Sequence, residues 1–145
     1  MVTTEDPEVG IEELVAKRRR RFSPEQLEAF ASHDRRVFDL LVRYRNGESL
    51  AESIVAELMP AVHQKAGRLS PQPQLYGRSD LRQELVVEVL RLARTLPLAR
   101  PDFLTRRLML GAAKRVTRRL EREWYRQLEQ NSLDELGDEP WEDQE

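Results

Sequence analysis

S-D-L-R-Q-E-L-V-V-E-V-L-R-L, residues 79–92, and F-L-T-R-R-L-M-L-G-A-A-K-R-V-T-R-R-L-E-R-E-W-Y, residues 103–125, decide the fold. In the first, Leu81, Leu85, Val89, Leu92 and Leu96 recur every three or four residues, which makes one apolar stripe on a helix. Asp80, Gln83, Glu84 and Glu88 share its polar side, and Pro97 closes it. The second is expected to begin at Pro101, because proline suits a first helical turn where the N–H has no partner. Leu108, Ala112, Val116 and Leu120 are its inward row. Arg106, Arg107, Lys114, Arg115, Arg118, Arg119, Arg122 and Arg126 make it strongly basic. An acidic-polar helix followed directly by a basic one points to two different partners.

Outward from this pair, the rest of the chain reads as helix and turn. Ser23-Pro24-Glu25-Gln26 is a helix start with a capping-box pattern. Leu27, Phe30, Val37, Leu41 and Tyr44 form its apolar stripe, and Asn46-Gly47 stops it. Ser49 is the expected cap of a further helix with Leu50, Ile54, Leu58 and Val62 inward, and Pro60 is expected to kink or divide it. Residues 67–77 read as a proline-rich loop, after which Ser79 or Asp80 caps the next helix. Ile11, Leu14 and Val15 support at most a short helix near the start. No stretch alternates as a half-buried strand would. The expected fold is all-α: a small helical bundle of about four main helices with disordered termini. The expected organisation is a flexible arm over 1–22, a helical domain over 23–126 (with 23–47 as an extension helix), and an acidic tail or linker over 127–145. Residues 1–10 and about 134–145 are expected to be disordered, and Trp141 to lie outside the packed unit.

The 145 residues carry a net charge of −2, but that average hides blocks. Residues 17–21 are five consecutive cations. Residues 100–126 hold nine cations against three anions, and residues 127–145 hold eight anions and no cation. Such asymmetry marks a nucleic-acid-facing segment beside an acidic one, although a lone charge run such as 17–21 also suits a plain solvated helix face. The chain has no cysteine, so disulfides and thiolate metal sites are excluded. His33 and His63 are isolated from other ligand types, no glycine-rich phosphate loop is present, and no serine sits in a nucleophile elbow. The expectation is a non-enzyme without metal or cofactor. No apolar run approaches membrane length, and the first residues lack a signal-peptide pattern, so a cytoplasmic protein with no membrane partner is expected.

Asp80-Leu81-x-Gln83-Glu84 resembles the D-L-x-Q-E motif of region 2 in sigma-70 family sigma factors. There the motif docks on the clamp helices of the RNA polymerase β′ subunit. Phe103, Leu108, Ala112 and Leu120 are similar to the frame of the next helix in that family, with one extra residue after Phe103. Arg107, Gly111 and Lys114 depart from the family's tryptophan, isoleucine and asparagine, which weakens base-specific recognition more than docking. Residues 58–69 resemble the first region 2 helix. Asn131-Ser132-Leu133-Asp134-Glu135-Leu136 is similar to the acidic linker after region 2 in extracytoplasmic-function factors, although no region 4 follows in this sequence.

The resemblance implies a sigma factor-like transcription regulator. RNA polymerase core would dock on Asp80, Leu81, Gln83 and Glu84, with Asp80 and Glu84 facing outward. Promoter DNA near the −10 element would meet Arg106, Arg107, Lys114, Arg115, Arg118, Arg119 and Arg122, with Trp124 and Tyr125 offering stacking surfaces. Burial in the apolar row is the competing reading for Trp124. An anti-sigma factor is a further implied partner. Two alternatives stand beside this: a small helical DNA- or protein-binding regulator with no polymerase contact, and a region 2 mimic that acts as an inhibitor.

Overall fold

The computed structural model describes residues 7–137. Five α-helices and one 3-10 turn follow in order: α1 (Pro7–Arg21), α2 (Pro24–Arg45), α3 (Ala51–Leu69), the turn Pro73–Leu75, α4 (Leu81–Thr95) and α5 (Leu104–Gly137). No strand occurs among the described residues. The all-α bundle expected from the sequence is observed, with α2 to α5 as its four main members. The arm assigned to 1–22 contains α1, and residues 127–137 of the acidic tail continue α5. Residues 1–6 and 138–145, with Trp141, lie outside the described residues.

Local chemistry sets the boundaries. Gln26 N–H donates to Ser23 Oγ at 3.2 Å while Ser23 N–H donates to Gln26 Oε1 at 2.9 Å, completing the capping box of α2. Gly47 ends the following turn at φ +99°, a left-handed conformation that glycine adopts without cost. Three expectations are corrected. Leu50, not Ser49, is the N-cap of α3, without a side-chain hydrogen bond. Pro60 lies inside an uninterrupted α3 and does not divide it, because both flanks are anchored by the buried Leu58 and Val62. Pro101 precedes α5 instead of starting it, because Phe103 turns through φ 55° and Leu104 is the first helical residue. Asp80 occupies the N-cap of α4, but its carboxylate turns toward Arg78 (3.4 Å) and caps nothing.

The core sits between α3, α4 and the first half of α5, with α2 closing one side. Leu85, Val89, Leu108, Ala112, Val116 and Leu120 are all buried, as the inward rows of the sequence require. Burying each leucine contributes about 1.5–3 kcal/mol. Leu75, from the segment read as a loop, is also fully buried and plugs the gap beside α5. Polar ties connect the helices. Arg45 donates to the Ala93 (2.8 Å) and Leu96 carbonyls at the end of α4, and Arg94 donates to Tyr44 Oη at 3.0 Å. Asp34 of α2, only 5% exposed, accepts from the Thr105 N–H at 3.1 Å and so caps α5 from another helix. His33 lies between Thr105 Oγ1 (3.1 Å) and Glu57 of α3 (carbonyl at 3.2 Å, carboxylate at 3.3 Å), a structural position.

Candidate nucleic-acid interface

α5 spans 34 residues, about 51 Å at the usual rise. Its first half packs on the core, while residues 125–134 are exposed all round. The inward row occupies one side, so residues displaced half a turn must face solvent. Lys114, Arg118 and Arg122 follow at intervals of four, and Tyr125 comes three residues later on the same face. All four are exposed, Tyr125 at 55%. Arg115 and Arg126 border this face and are exposed too. None of the five cations makes an ion pair with an acidic side chain among the described residues. Trp124 packs edge-on against Tyr125, with ring centroids 5.1 Å apart, and is partly covered, between the stacking and burial readings.

Three arginines assigned to DNA point elsewhere. Arg107 folds back on the loop before α5, donating to the Pro97 carbonyl at 3.3 Å and to the Arg100 carbonyl. Burial lowers its guanidinium below the ordinary value, and Asp34 and Asp102 oppose that shift. Its charge closes the α4–α5 connection, so it is withdrawn from the basic face. Arg119 reaches across to α4, where it bonds Glu84 Oε1 at 3.2 Å and Glu88 Oε2. Arg106 lies on the flank of α5 toward α3 and lines a cleft with Lys65 and Arg68.

The polymerase-docking set is divided in the same way. Leu81 is 3% exposed and belongs to the core, so its side chain is not a contact for a partner. Glu84 does not face outward. Its side chain has 19% of its surface accessible, and its carboxylate is held by Arg119, with Arg78 Nε 3.4 Å away. The buried Glu88 completes this network with Arg119 and with Arg91 at 2.8 Å. The reasons differ: Leu81 belongs to the apolar stripe of α4, whereas Glu84 and Glu88 lie toward α5, where Arg119 neutralises both carboxylates. Gln83 is exposed, and Asp80 is partly exposed beside Arg78. The structure therefore brings together Lys114, Arg115, Arg118, Arg122 and Tyr125, and leaves Asp80 and Gln83 as the accessible part of the other set. Arg78 escaped the sequence reading. It stands within 3.4–3.9 Å of Asp80, Glu84 and Glu123, and its position two residues before the D-L-x-Q-E motif was the available signal.

Among the described residues, no group of histidine and carboxylate side chains is arranged to hold a metal ion, and no helix is long and apolar enough to cross a membrane. Comparison with protein-family models, with curated proteins and with solved structures returned no match in any of the three.

Proposed function

We propose that this chain is a nucleic-acid-binding transcription regulator of the sigma region 2 type, whose α5 face binds single-stranded promoter DNA near the −10 element. The observation that supports the reading is the row Lys114, Arg118, Arg122 and Tyr125 with Arg115 and Arg126 beside it, exposed and without acidic partners among the described residues. Cations at helical spacing position a phosphate backbone, and an exposed aromatic ring among them offers a stacking surface for an unpaired base. In this reading polymerase core docks on the first turn of α4, through Asp80 and Gln83. Leu81 acts there only by holding α4 in place.

Fluorescence anisotropy with a promoter-like single strand at several salt concentrations tests the DNA half. Four phosphate contacts give a slope of log affinity against log salt of about −3, and Arg118→Ala with Arg122→Ala reduces it by about 1.4. Equal binding by this double variant and the parent would sink the assignment. Co-precipitation of polymerase core with the parent, and its loss in Asp80→Arg/Gln83→Ala, tests the other half. A second reading, DNA binding without polymerase contact, is favoured by the internal engagement of Leu81 and Glu84. DNA binding combined with no co-precipitation would select it.

A further inference from the structure

Beside the α5 face, the side chains of α1, α2, α3 and α5 enclose a cleft of about 250 Å³. Arg18 of α1, Lys65 and Arg68 of α3 and Arg106 of α5 line it. The one carboxylate in its wall is Asp34, whose Oδ1 already accepts from the Thr105 N–H. None of the four cations has an acidic partner among the described residues. The Arg18 guanidinium carbon sits 4.9 Å from the Phe30 ring centroid and 4.2 Å from that of Phe103. Two aromatic faces thus hold the group in place, and its N–H donors make no hydrogen bond among the described residues. Lys65 is half-buried, and its ammonium is held below the ordinary value first by that burial and then by Arg68 and Arg106. Four like charges gathered from three helices against the single carboxylate of Asp34 leave an excess of positive charge, and an anion relieves it.

A second chamber of about 300 Å³ opens on the other side of Arg18. Its wall is mixed: Val15, Leu27, Ala31 and Phe103 are apolar, while Arg19, Arg35 and Asp102 are charged. Arg18 and Asp34 are shared by both chambers. The second chamber by itself stands at the lower end of the size range of small-ligand sites, about 300–1,000 Å³.

We propose that these adjoining clefts bind a nucleoside polyphosphate, with Arg18, Lys65, Arg68 and Arg106 on the phosphates and the apolar wall around Phe103 on the nucleoside. Four cations match the charge of a di- or triphosphate better than that of a single phosphate. Arginine forks and a point-charge lysine are the side chains that recognise such groups. The site does not depend on the α5 DNA face, because Lys114, Arg118 and Arg122 line neither chamber.

The test is calorimetric titration of the full chain with three probes: ATP, inorganic pyrophosphate, and a single-stranded oligonucleotide without a terminal phosphate. ATP is expected to bind more tightly than pyrophosphate. Lys65→Gln and Arg106→Gln, changes at sites partly or fully open to solvent, are each expected to weaken ATP about tenfold. Arg118→Ala/Arg122→Ala is expected to leave ATP affinity unchanged. The proposal is overturned if ATP does not bind at millimolar concentration, or if pyrophosphate binds as well as ATP. Equal loss of ATP affinity in the Arg118/Arg122 variant would reduce the effect to general surface charge. Oligonucleotide binding that alone responds to Lys65→Gln would assign the cleft to a nucleic-acid strand instead. Unchanged helical circular dichroism in each variant makes these outcomes readable.

Discussion

Arg119→Ala is the perturbation that best separates the internal cations of α5 from the external ones. Arg119 is one of a pair of adjacent arginines, and the sequence distinguishes it from Arg118 only by its place in the helical repeat. In the structure it is the shared counter-ion of Glu84 and Glu88, and the Glu88 side chain keeps only 4% of its surface accessible. Breaking a buried pair by removing one partner costs about 3–5 kcal/mol, because the other charge is stranded. Two features reduce that figure here. Arg91 still bonds Glu88 at 2.8 Å, though with 61% of its own side chain accessible, and Arg78 still stands beside Glu84. A loss of about 2–3 kcal/mol is therefore expected. For a domain of this length that lowers the melting temperature by roughly 6–9 °C, at about 3 °C per kcal/mol. Arg118→Ala, which strips an exposed side chain, should stay within about 0.5 kcal/mol of the parent. Urea unfolding followed by circular dichroism at constant ionic strength measures both. If the two alanine variants lose equal stability, or if Arg119→Ala loses less than about 1 kcal/mol, the network does not hold α4 on α5 as described. Arg119→Met combined with Glu88→Met supplies the converse check: replacing both charges should recover most of the loss.

Asp34→Ala should destabilise the fold by about 1–2 kcal/mol in the same assay, since it removes the cap of α5 supplied by another helix, whereas Asp34→Asn keeps an acceptor and should cost less. Gly111→Ile should cost about 1–3 kcal/mol, because even a Cβ at position 111 comes within 2.8 Å of Leu92 Cδ1, and Leu92→Ala in the same chain should recover part of it. Glu48→Gln should flatten the acid limb of the stability profile. Its carboxyl is held below the ordinary value by the hydrogen bond from Arg43, so its contribution is present above that value and disappears as pH falls through the lower folded one. Thermal melts from neutral to acid pH read this difference, and parallel curves for parent and variant would refute it.

Periodicity carried the fold. The rows Leu85–Val89–Leu92 and Leu108–Ala112–Val116–Leu120 are buried as their spacing demands, because an apolar stripe has one place to go in water. Ser23 and Gln26 were legible for a similar reason, since a capping box is a local arrangement. What escaped depends on residues far apart in sequence. Asp34 caps a helix that begins 70 residues later, and only the packed fold brings them together. Leu75 lies in a segment whose prolines suggest a loop, and the fold uses that turn as a plug. The same limit governed the site. Charge density singled out α5, but it could not divide Lys114, Arg115, Arg118 and Arg122 from Arg106, Arg107 and Arg119. That division rests on which neighbours each side chain meets: carbonyls for Arg107, carboxylates for Arg119, other cations for Arg106. Leu81 illustrates the reverse, because its place in the apolar stripe already marked it as core.

The overhang of α5 has a consequence for how the helix holds together. Starting a helix in water is the unfavourable step, and lengthening one that exists is nearly neutral for each added residue. The packed half, Leu104–Leu120, is a permanent nucleus, so the exposed residues after it become helical by propagation alone. Their order should then decay gradually toward the C-terminal end, with amide exchange quickening residue by residue after Tyr125 instead of switching at one boundary. Warming should erode helical signal well below the melting point, while the cooperative transition stays where the core places it.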